Sequence, residues 1–397
     1  MIELLSPSKD IEKAKVALAY GADAVYIGGQ SYSLRSRASN FSLSQIKEIV
    51  DLAHSIQKKV YVTVNMVFHD DDLFGIKEYI RELDMMGVDA LIIESFALIP
   101  IIKKISKHLE VHISTQASSL SSEAVKTLAM WGADRVVLGR ECAMSEIELI
   151  AKKADVPLEV FIHGGMCSNY SGRCTLSNRM CLRDANRGGC AHSCRWRYEL
   201  YEDEKLISDD EHLFSMASKD LRATAYIERM IRCGVASLKI EGRMKSAYYI
   251  AQITKTYRKL IDEIYEKGHL SSDRIAYYDA EILKAENRHS SIGFLDGKLD
   301  KERQIYEKEA AMVTHDFVGL ILDYDNDTGL AKIEVRNRFS KGDALEVFGP
   351  TVDNERLVLT YILDAEGNEL DLANKPMSII YVKVPFEVHK GDMVRKI

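Results

Sequence analysis

Over residues 1–269 the apolar positions switch between two periods. Short β-branched or apolar runs occur at Glu3 to Leu5, Val60 to Val64, Val111 to Ser114 and Leu158 to Ile162. Four more open on a recurring phrase: Gly21-Ala22-Asp23-Ala24-Val25-Tyr26-Ile27-Gly28, Gly87-Val88-Asp89-Ala90-Leu91-Ile92-Ile93-Glu94, Gly132-Ala133-Asp134-Arg135-Val136-Val137-Leu138-Gly139 and Gly234-Val235-Ala236-Ser237-Leu238-Lys239-Ile240-Glu241. Glycine suits the left-handed position just past a helix end, and the run after it reads as a strand buried on both faces. Amphipathic helical patterns separate the eight runs: Asp10 to Tyr20, Leu43 to Ser55, Leu73 to Met86, Ala97 to His108, Ser122 to Trp131, Ser145 to Lys153, Arg222 to Cys233 and Ser246 to Lys267. Strict alternation of this length predicts an α/β fold, a (β/α)8 TIM-like barrel. A doubly wound sheet is the weaker alternative, because no Gly-rich dinucleotide fingerprint follows an early strand and no GxxxxGK[ST] loop occurs.

The alternation breaks after the seventh strand, where residues 163–219 form an insertion in place of a short loop. Inside it, Tyr198 to Tyr201 and His212 to Met216 read as a hairpin. Long insertions at the C-terminal mouth of a barrel usually carry function. Residues 270–311 are charged and mixed and read as a linker with some helix. From residue 312 the texture becomes short alternating strands: Phe317 to Leu322, Leu330 to Val335, Ala344 to Phe348, Leu357 to Ile362 and Ile379 to Val384. With a hairpin turn at Asp325-Asn326-Asp327-Thr328-Gly329, they predict a small antiparallel β-barrel domain over 312–397.

The formal charge is −7, with 46% hydrophobic and 28% charged residues, an ordinary composition for a soluble globular protein. The longest apolar stretch, Ala90 to Ile102, is interrupted by Glu94 and Ser95 and falls short of the roughly 20 residues of a membrane span. The expectation is a cytoplasmic protein with no membrane partner. Five of the seven cysteines lie between Cys167 and Cys194, and in a reducing compartment such clustering favours metal ligation over disulfides. Cys167, Cys174, Cys190 and Cys194 are spaced C-x6-C-x15-C-x3-C. Structural zinc prefers paired C-x2-4-C knuckles, which only Cys190 and Cys194 approach; irregular spacing in a loop is compatible with a 4Fe-4S cluster. Spacing alone leaves cluster, zinc and reduced thiols open. Cys142 and Cys233 read as small buried hydrophobes and Cys181 as a spare thiol.

The same insertion is basic in an acidic protein. Arg173, Arg179, Arg183, Arg187, Arg195 and Arg197 face only Asp184 between Val160 and Tyr198. Arginine matches planar phosphate or carboxylate partners, and Trp196 and Tyr198 offer stacking surfaces, so Arg179, Arg183, Arg187, Arg195 and Arg197 are candidate RNA contacts. The competing reading has these arginines compensating thiolates and holding loops. At the strand ends stand Arg35, Arg37, Asn65, Glu94, Gln116, Arg140, His163, Glu241 and Arg243. Arg35, Arg37, Asn65, Arg140 and Arg243 are candidate contacts to a small dianion, and Glu241, His163 and Gln116 are the candidate catalytic groups, the first two able to move a proton. Asp70-Asp71-Asp72 reads as a helix N-terminus rather than a metal site. No HExxH or GxSxG motif is present.

The run Glu159, Phe161, Gly164-Gly165-Met166-Cys167, Gly172, Cys174 and Leu176-Ser177 resembles the signature of the collagenase-like family called peptidase U-32, with Gly165 where that pattern usually has Ser or Ala. Glu3-Leu4-Leu5-Ser6-Pro7, the first Gly-Ala-Asp phrase, Ser114-Thr115-Gln116-Ala117, Lys239-Ile240-Glu241-Gly242-Arg243-Met244-Lys245 and Gly293-Phe294-Leu295 extend the resemblance along nearly the whole chain. The resemblance implies a 4Fe-4S cluster on Cys167, Cys174, Cys190 and Cys194. It implies oxygen-independent hydroxylation of tRNA, ribosomal RNA or a ubiquinone precursor, or, on the older label, a collagenase-like protease with no assigned nucleophile. One barrel plus one small β domain is most similar to the branch that forms 5-hydroxyuridine at the tRNA wobble position, with prephenate as hydroxyl donor. Prephenate is a dicarboxylate, which would give the mouth arginines a purpose. tRNA, a small dicarboxylate, and a second copy or a family paralogue are the partners expected.

Overall fold

The structure is a computed structural model describing residues 1–34, 40–209, 213–285, 288–298, 300–305 and 315–397. Eight parallel strands run in sequence order: β1 (Glu3–Pro7), β2 (Ala24–Gly28), β3 (Lys59–Val64), β4 (Ala90–Ile93), β5 (Glu110–Ile113), β6 (Arg135–Val137), β7 (Leu158–Gly164) and β8 (Ser237–Ile240). Each pairs with the next, and β8 also pairs with β1, so the barrel closes. Around it lie α1 (Ile11–Ala19), α2 (Leu43–Ser55), α3 (Ile76–Met85), α4 (Leu98–Ile105), α5 (Ser122–Met130), α6 (Met144–Lys153), α7 (Ile227–Arg232) and α8 (Ala247–Lys267).

The recurring phrase explains how strands enter the barrel. Gly21, Gly87, Gly132 and Gly234 all have positive φ, 83° to 106°, which ends the helix and turns the chain inward. The aspartate two residues on does more than fill a turn. Asp23, Asp89 and Asp134 each accept the amide N–H of the neighbouring strand's Leu4, Val60 or Val111, at 2.7 to 3.0 Å, and each donates its own N–H to that residue's carbonyl. In the fourth copy Ala236 keeps only the backbone bond, to Leu158.

Helix starts differ from the periodicity where the backbone turns first. The third helical pattern opens as a 3-10 turn at Asp70–Leu73, and Gly75, at φ 78°, separates it from α3. The seventh opens with a strand, Asp220–Arg222, antiparallel to β7, before α7 begins at Ile227. The expected hairpin in the insertion holds where Tyr198 and Phe214 exchange both backbone hydrogen bonds, while His212 lies outside the described residues.

The strands are not apolar on both faces. Glu3, Arg135, Glu159 and Lys239 point into the barrel and neutralise one another: Glu159 accepts from Lys239 at 2.6 Å and Arg135 at 3.2 Å, and Arg135 also reaches Glu3 at 2.6 Å. Burial alone would raise the Glu159 carboxyl, but the two cations outweigh it and hold it at about 2.

The stretch read as a linker carries α9 (Ser272–Leu283), tied to α8 by a hydrogen bond from Gln252 Nε2 to the Glu281 carbonyl. The main sheet of the C-terminal domain is antiparallel and consists of β9 (Asp316–Asp325), β10 (Leu330–Val335), β11 (Ala344–Phe348), β12 (Glu355–Val358), β13 (Ile362–Leu363), β14 (Ile379–Lys383) and β15 (Met393–Lys396). Its order is β12-β11-β15-β9-β10-β14-β13, a half-barrel around Val318, Ile321, Ile333, Val347 and Val382. The single strand expected over Leu357 to Ile362 is split, because the Leu359 N–H turns to bond the Asp343 carbonyl. Arg395, fully buried, joins the domains by bonding Glu346 and, at 2.8 Å, Gln252 of α8.

Candidate active site at the barrel mouth

The C-terminal ends of the strands converge on a cavity of about 330 Å³. The barrel supplies Asn65, Gln116, Arg140, Phe161, Lys239, Glu241 and Arg243; the insertion folds over the top and adds Cys167, Cys174, Cys190 and Cys194. Three barrel carboxylates latch it down. Glu94 accepts from Arg173 at 2.6 Å, Asp72 from Arg187 at 2.5 Å, and Glu141 from the Ser171 N–H at 2.6 Å. Burial raises the Glu94 carboxyl and the Arg173 guanidinium opposes it.

Gln116 is buried, its Oε1 shared by Asn65 Nδ2 and Ser114 Oγ at 3.4 Å, and its Nε2 has no hydrogen-bond partner among the described residues. Glu241 receives the Tyr26 hydroxyl on Oε2 at 3.0 Å and donates its backbone N–H to the His163 carbonyl at 2.8 Å. Gly164, at φ 101°, permits that approach, since a Cβ there would collide with the Glu241 backbone. Arg243 is buried against the wall, donating to Ser33 Oγ at 3.1 Å and Asn40 Oδ1 at 2.7 Å. Arg140 and Arg195 donate to the Gly165 and Met166 carbonyls beside Cys167, and neither pairs with a carboxylate among the described residues. Arg35 and Arg37 lie outside the described residues.

His163 is not brought to the cavity. Strand alternation would carry it inward with Glu159 and Phe161, but a bulge pairs it with Ile240 and turns it outward. It is buried between Tyr249 and Tyr257 of α8, with Nδ1 3.3 Å from the Tyr257 hydroxyl. Burial, and then Lys245 and Arg222, push its pKa down to about 3, so the ring stays neutral while the unfolded chain protonates near 6.5. A histidine depressed in the fold loses stability as pH falls from about 6.5 towards 3, by up to about 1.4 kcal/mol per pH unit. Urea unfolding at pH 6.5 and 5.5 is expected to show a drop about 1 kcal/mol larger for the wild type than for His163→Gln; equal drops contradict this placement.

The arginines of the insertion divide between the site and the surface. Arg187 pairs with Asp72 and Arg195 lines the cavity, both with partly exposed side chains. Arg179 is exposed at the end of the short helix Leu176–Cys181, and Arg183 and Arg197 are half-buried. Trp196 is 42% exposed beside Tyr198, with ring centroids 6.5 Å apart. Sequence patterning missed Asp220, Lys245 and Arg288, which also line the cavity. Asp220 is ion-paired with Arg288 at 3.0 Å and lies 3.6 Å from Lys245; burial raises its carboxyl against Lys245 and Arg195. Asp220 follows an aperiodic insertion and Arg288 sits in the presumed linker, so neither carried a periodic signal.

Cys181 turns away from the cavity, its Sγ donating to the Ser177 carbonyl at 3.1 Å. Cys142 is buried in the core, and Cys233 bonds the Met230 carbonyl. Among the described residues no three His, Cys, Asp or Glu side chains are grouped to hold a single metal ion. The donor set facing the cavity, four thiols with Arg140 and Arg195 beside Cys167, fits an iron–sulfur cluster, whose thiolate ligands are soft and anionic. Burial raises the Cys167 thiol, and Arg140 counters it.

The model described as peptidase family U32 matches residues 9–305, and that of the peptidase family U32 C-terminal domain matches residues 313–395. The chain is 41% identical over 399 residues to tRNA hydroxylation protein P1 of Bacillus subtilis, covering 99% of this chain and 94% of that one. It is 41% identical over 267 residues to the 23S rRNA 5-hydroxycytidine C2501 synthase of Escherichia coli, covering 67% and 40%. A protein named collagenase from Porphyromonas gingivalis is 30% identical over 363 residues, covering 88% and 87%. With both models matched along almost its entire length, the chain belongs to peptidase family U32.

Proposed function

We propose that this chain is an oxygen-independent RNA hydroxylase that forms 5-hydroxyuridine at the tRNA wobble position, with a 4Fe-4S cluster on Cys167, Cys174, Cys190 and Cys194 and prephenate as hydroxyl donor. The observation that carries the reading is the sharing of one cavity by those four thiols and by the mouth groups Gln116, Arg140 and Glu241. The relatives named for tRNA hydroxylation and for 5-hydroxycytidine synthesis support RNA as the substrate class. When bound, the cluster supplies a redox or Lewis-acid centre beside the pocket.

The protein's own residues account for the rest. Arg140, anchored by the Gly165 carbonyl, and Arg195, anchored by the Met166 carbonyl and near the Asp220 carboxylate, are the cations that a dicarboxylate would pair with. Gln116 Nε2 offers a buried donor with nothing to bond, a strong incentive for an acceptor to enter. Glu241 Oε2, oriented by Tyr26, holds or takes a proton at the entering base. An unpaired anticodon base can reach the pocket at little unstacking cost, and Trp196 with the exposed Arg179 lies on the insertion to meet the surrounding loop.

The test is nucleoside mass spectrometry of tRNA from a strain lacking this chain. Loss of 5-hydroxyuridine, restored by re-expression, is expected. Unchanged 5-hydroxyuridine contradicts the proposal, and iron-free cleavage of a collagen-like peptide by the purified chain would favour the protease reading that the collagenase relative raises.

A further inference from the structure

Cys174 is held at both backbone and sulfur. Asn186 clamps its peptide, accepting the Cys174 N–H on Oδ1 at 3.0 Å and donating Nδ2 to the Cys174 carbonyl at 2.9 Å. The sulfur is buried and accepts a hydrogen bond from Asn169 Nδ2 at 3.2 Å. Asn169 stands on the short segment between Cys167 and Cys174 and lines the cavity itself.

The geometry points to Asn169 as a redox-tuning residue: its side-chain amide, donating to the Cys174 sulfur, raises the reduction potential of the cluster, an inference that rests on the cofactor reading above. Reduction adds one electron, and so one negative charge, to a centre already surrounded by thiolates. A donor aimed at a ligand sulfur stabilises that added charge, so it favours the reduced form. The effect is strongest where the sulfur is shielded from water, as at Cys174. A purely structural role, shaping the loop through the Asn169 bond to Ser168 Oγ at 3.3 Å, would change cluster content or stability without moving the potential.

The full chain, reconstituted anaerobically, is titrated with dithionite, which donates the electron that takes [4Fe-4S]2+ to [4Fe-4S]1+, and the reduced form is read by electron paramagnetic resonance. Asn169→Leu is expected to lower the equilibrium constant for reduction at least tenfold, a midpoint lower by about 59 mV for a one-electron couple, at unchanged iron and sulfide content. Asn169→Ser, too short to reach the sulfur, gives the same comparison if the leucine variant fails to assemble. Midpoints equal to the wild type at full occupancy overturn the tuning role and leave the cofactor reading standing. Absence of iron and sulfide from the wild type overturns both.

Discussion

Cys174→Ala is expected to abolish 5-hydroxyuridine formation, to below one hundredth of the wild-type level, while leaving the barrel folded. Both halves follow from how the residue is held. The sulfur is one of four facing the cavity, and a four-thiolate site deprived of one ligand loses its cofactor or holds it in altered form. The loop, however, does not depend on that sulfur. Asn186 fixes the Cys174 backbone at both N–H and carbonyl, and the ion pair of Arg173 with Glu94 anchors the preceding residue. Removing one buried sulfur costs about 1–2 kcal/mol, a melting shift of a few degrees at most for a chain of this size. Cys181→Ala is the matched control, since that thiol turns back to the Ser177 carbonyl and should retain modification. Nucleoside analysis of complemented strains together with thermal unfolding reads both outcomes; modification persisting in Cys174→Ala contradicts the assignment.

The largest loss of stability is expected from Glu159→Leu. Glu159 has no exposed surface, and its two oxygens neutralise Lys239 and Arg135 inside the barrel. Leucine fills a similar volume but leaves two buried cations short of a partner. Breaking a buried ion pair from one side costs about 3–5 kcal/mol, because the stranded charge keeps its desolvation penalty. Arg135 retains Glu3, so the burden falls mainly on Lys239. The double variant Glu159→Leu with Lys239→Met should recover much of the loss, since an apolar pair of similar size replaces the charges. Urea unfolding that shows a loss below about 1 kcal/mol for the single variant would mean that these groups are solvated rather than buried as described.

Much of the barrel was legible because its signals are local. The positive φ of Gly21, Gly87, Gly132 and Gly234 ends helices where the phrase placed them. The role of Asp23, Asp89 and Asp134 was not legible, since an aspartate that caps a neighbouring strand looks like any turn aspartate until the strand beside it is known. His163 was misread for a related reason. Alternation along β7 is reliable only without a bulge, and the bulge arises from pairing with β8, distant in sequence. The four cysteines were found by clustering, and the cavity shared with the mouth groups is consistent with their selection over Cys181. Asp220, Lys245 and Arg288 were missed because they reach the mouth from a region without periodicity, from the residues after β8 and from the stretch beyond α9. In the C-terminal domain, β15 escaped notice because the charged Arg395 fills one of its buried positions and breaks the apolar alternation, although the strand occupies the sheet interior between β9 and β11.

The most direct measurement of the central claim is iron and acid-labile sulfide analysis of the anaerobically purified full chain, alongside its visible absorption. About four irons and four sulfides per chain, with a brown colour lost in Cys174→Ala and kept in Cys181→Ala, are predicted for a cluster held by the four cavity thiols. A colourless wild-type preparation with four alkylatable thiols at Cys167, Cys174, Cys190 and Cys194 would contradict it.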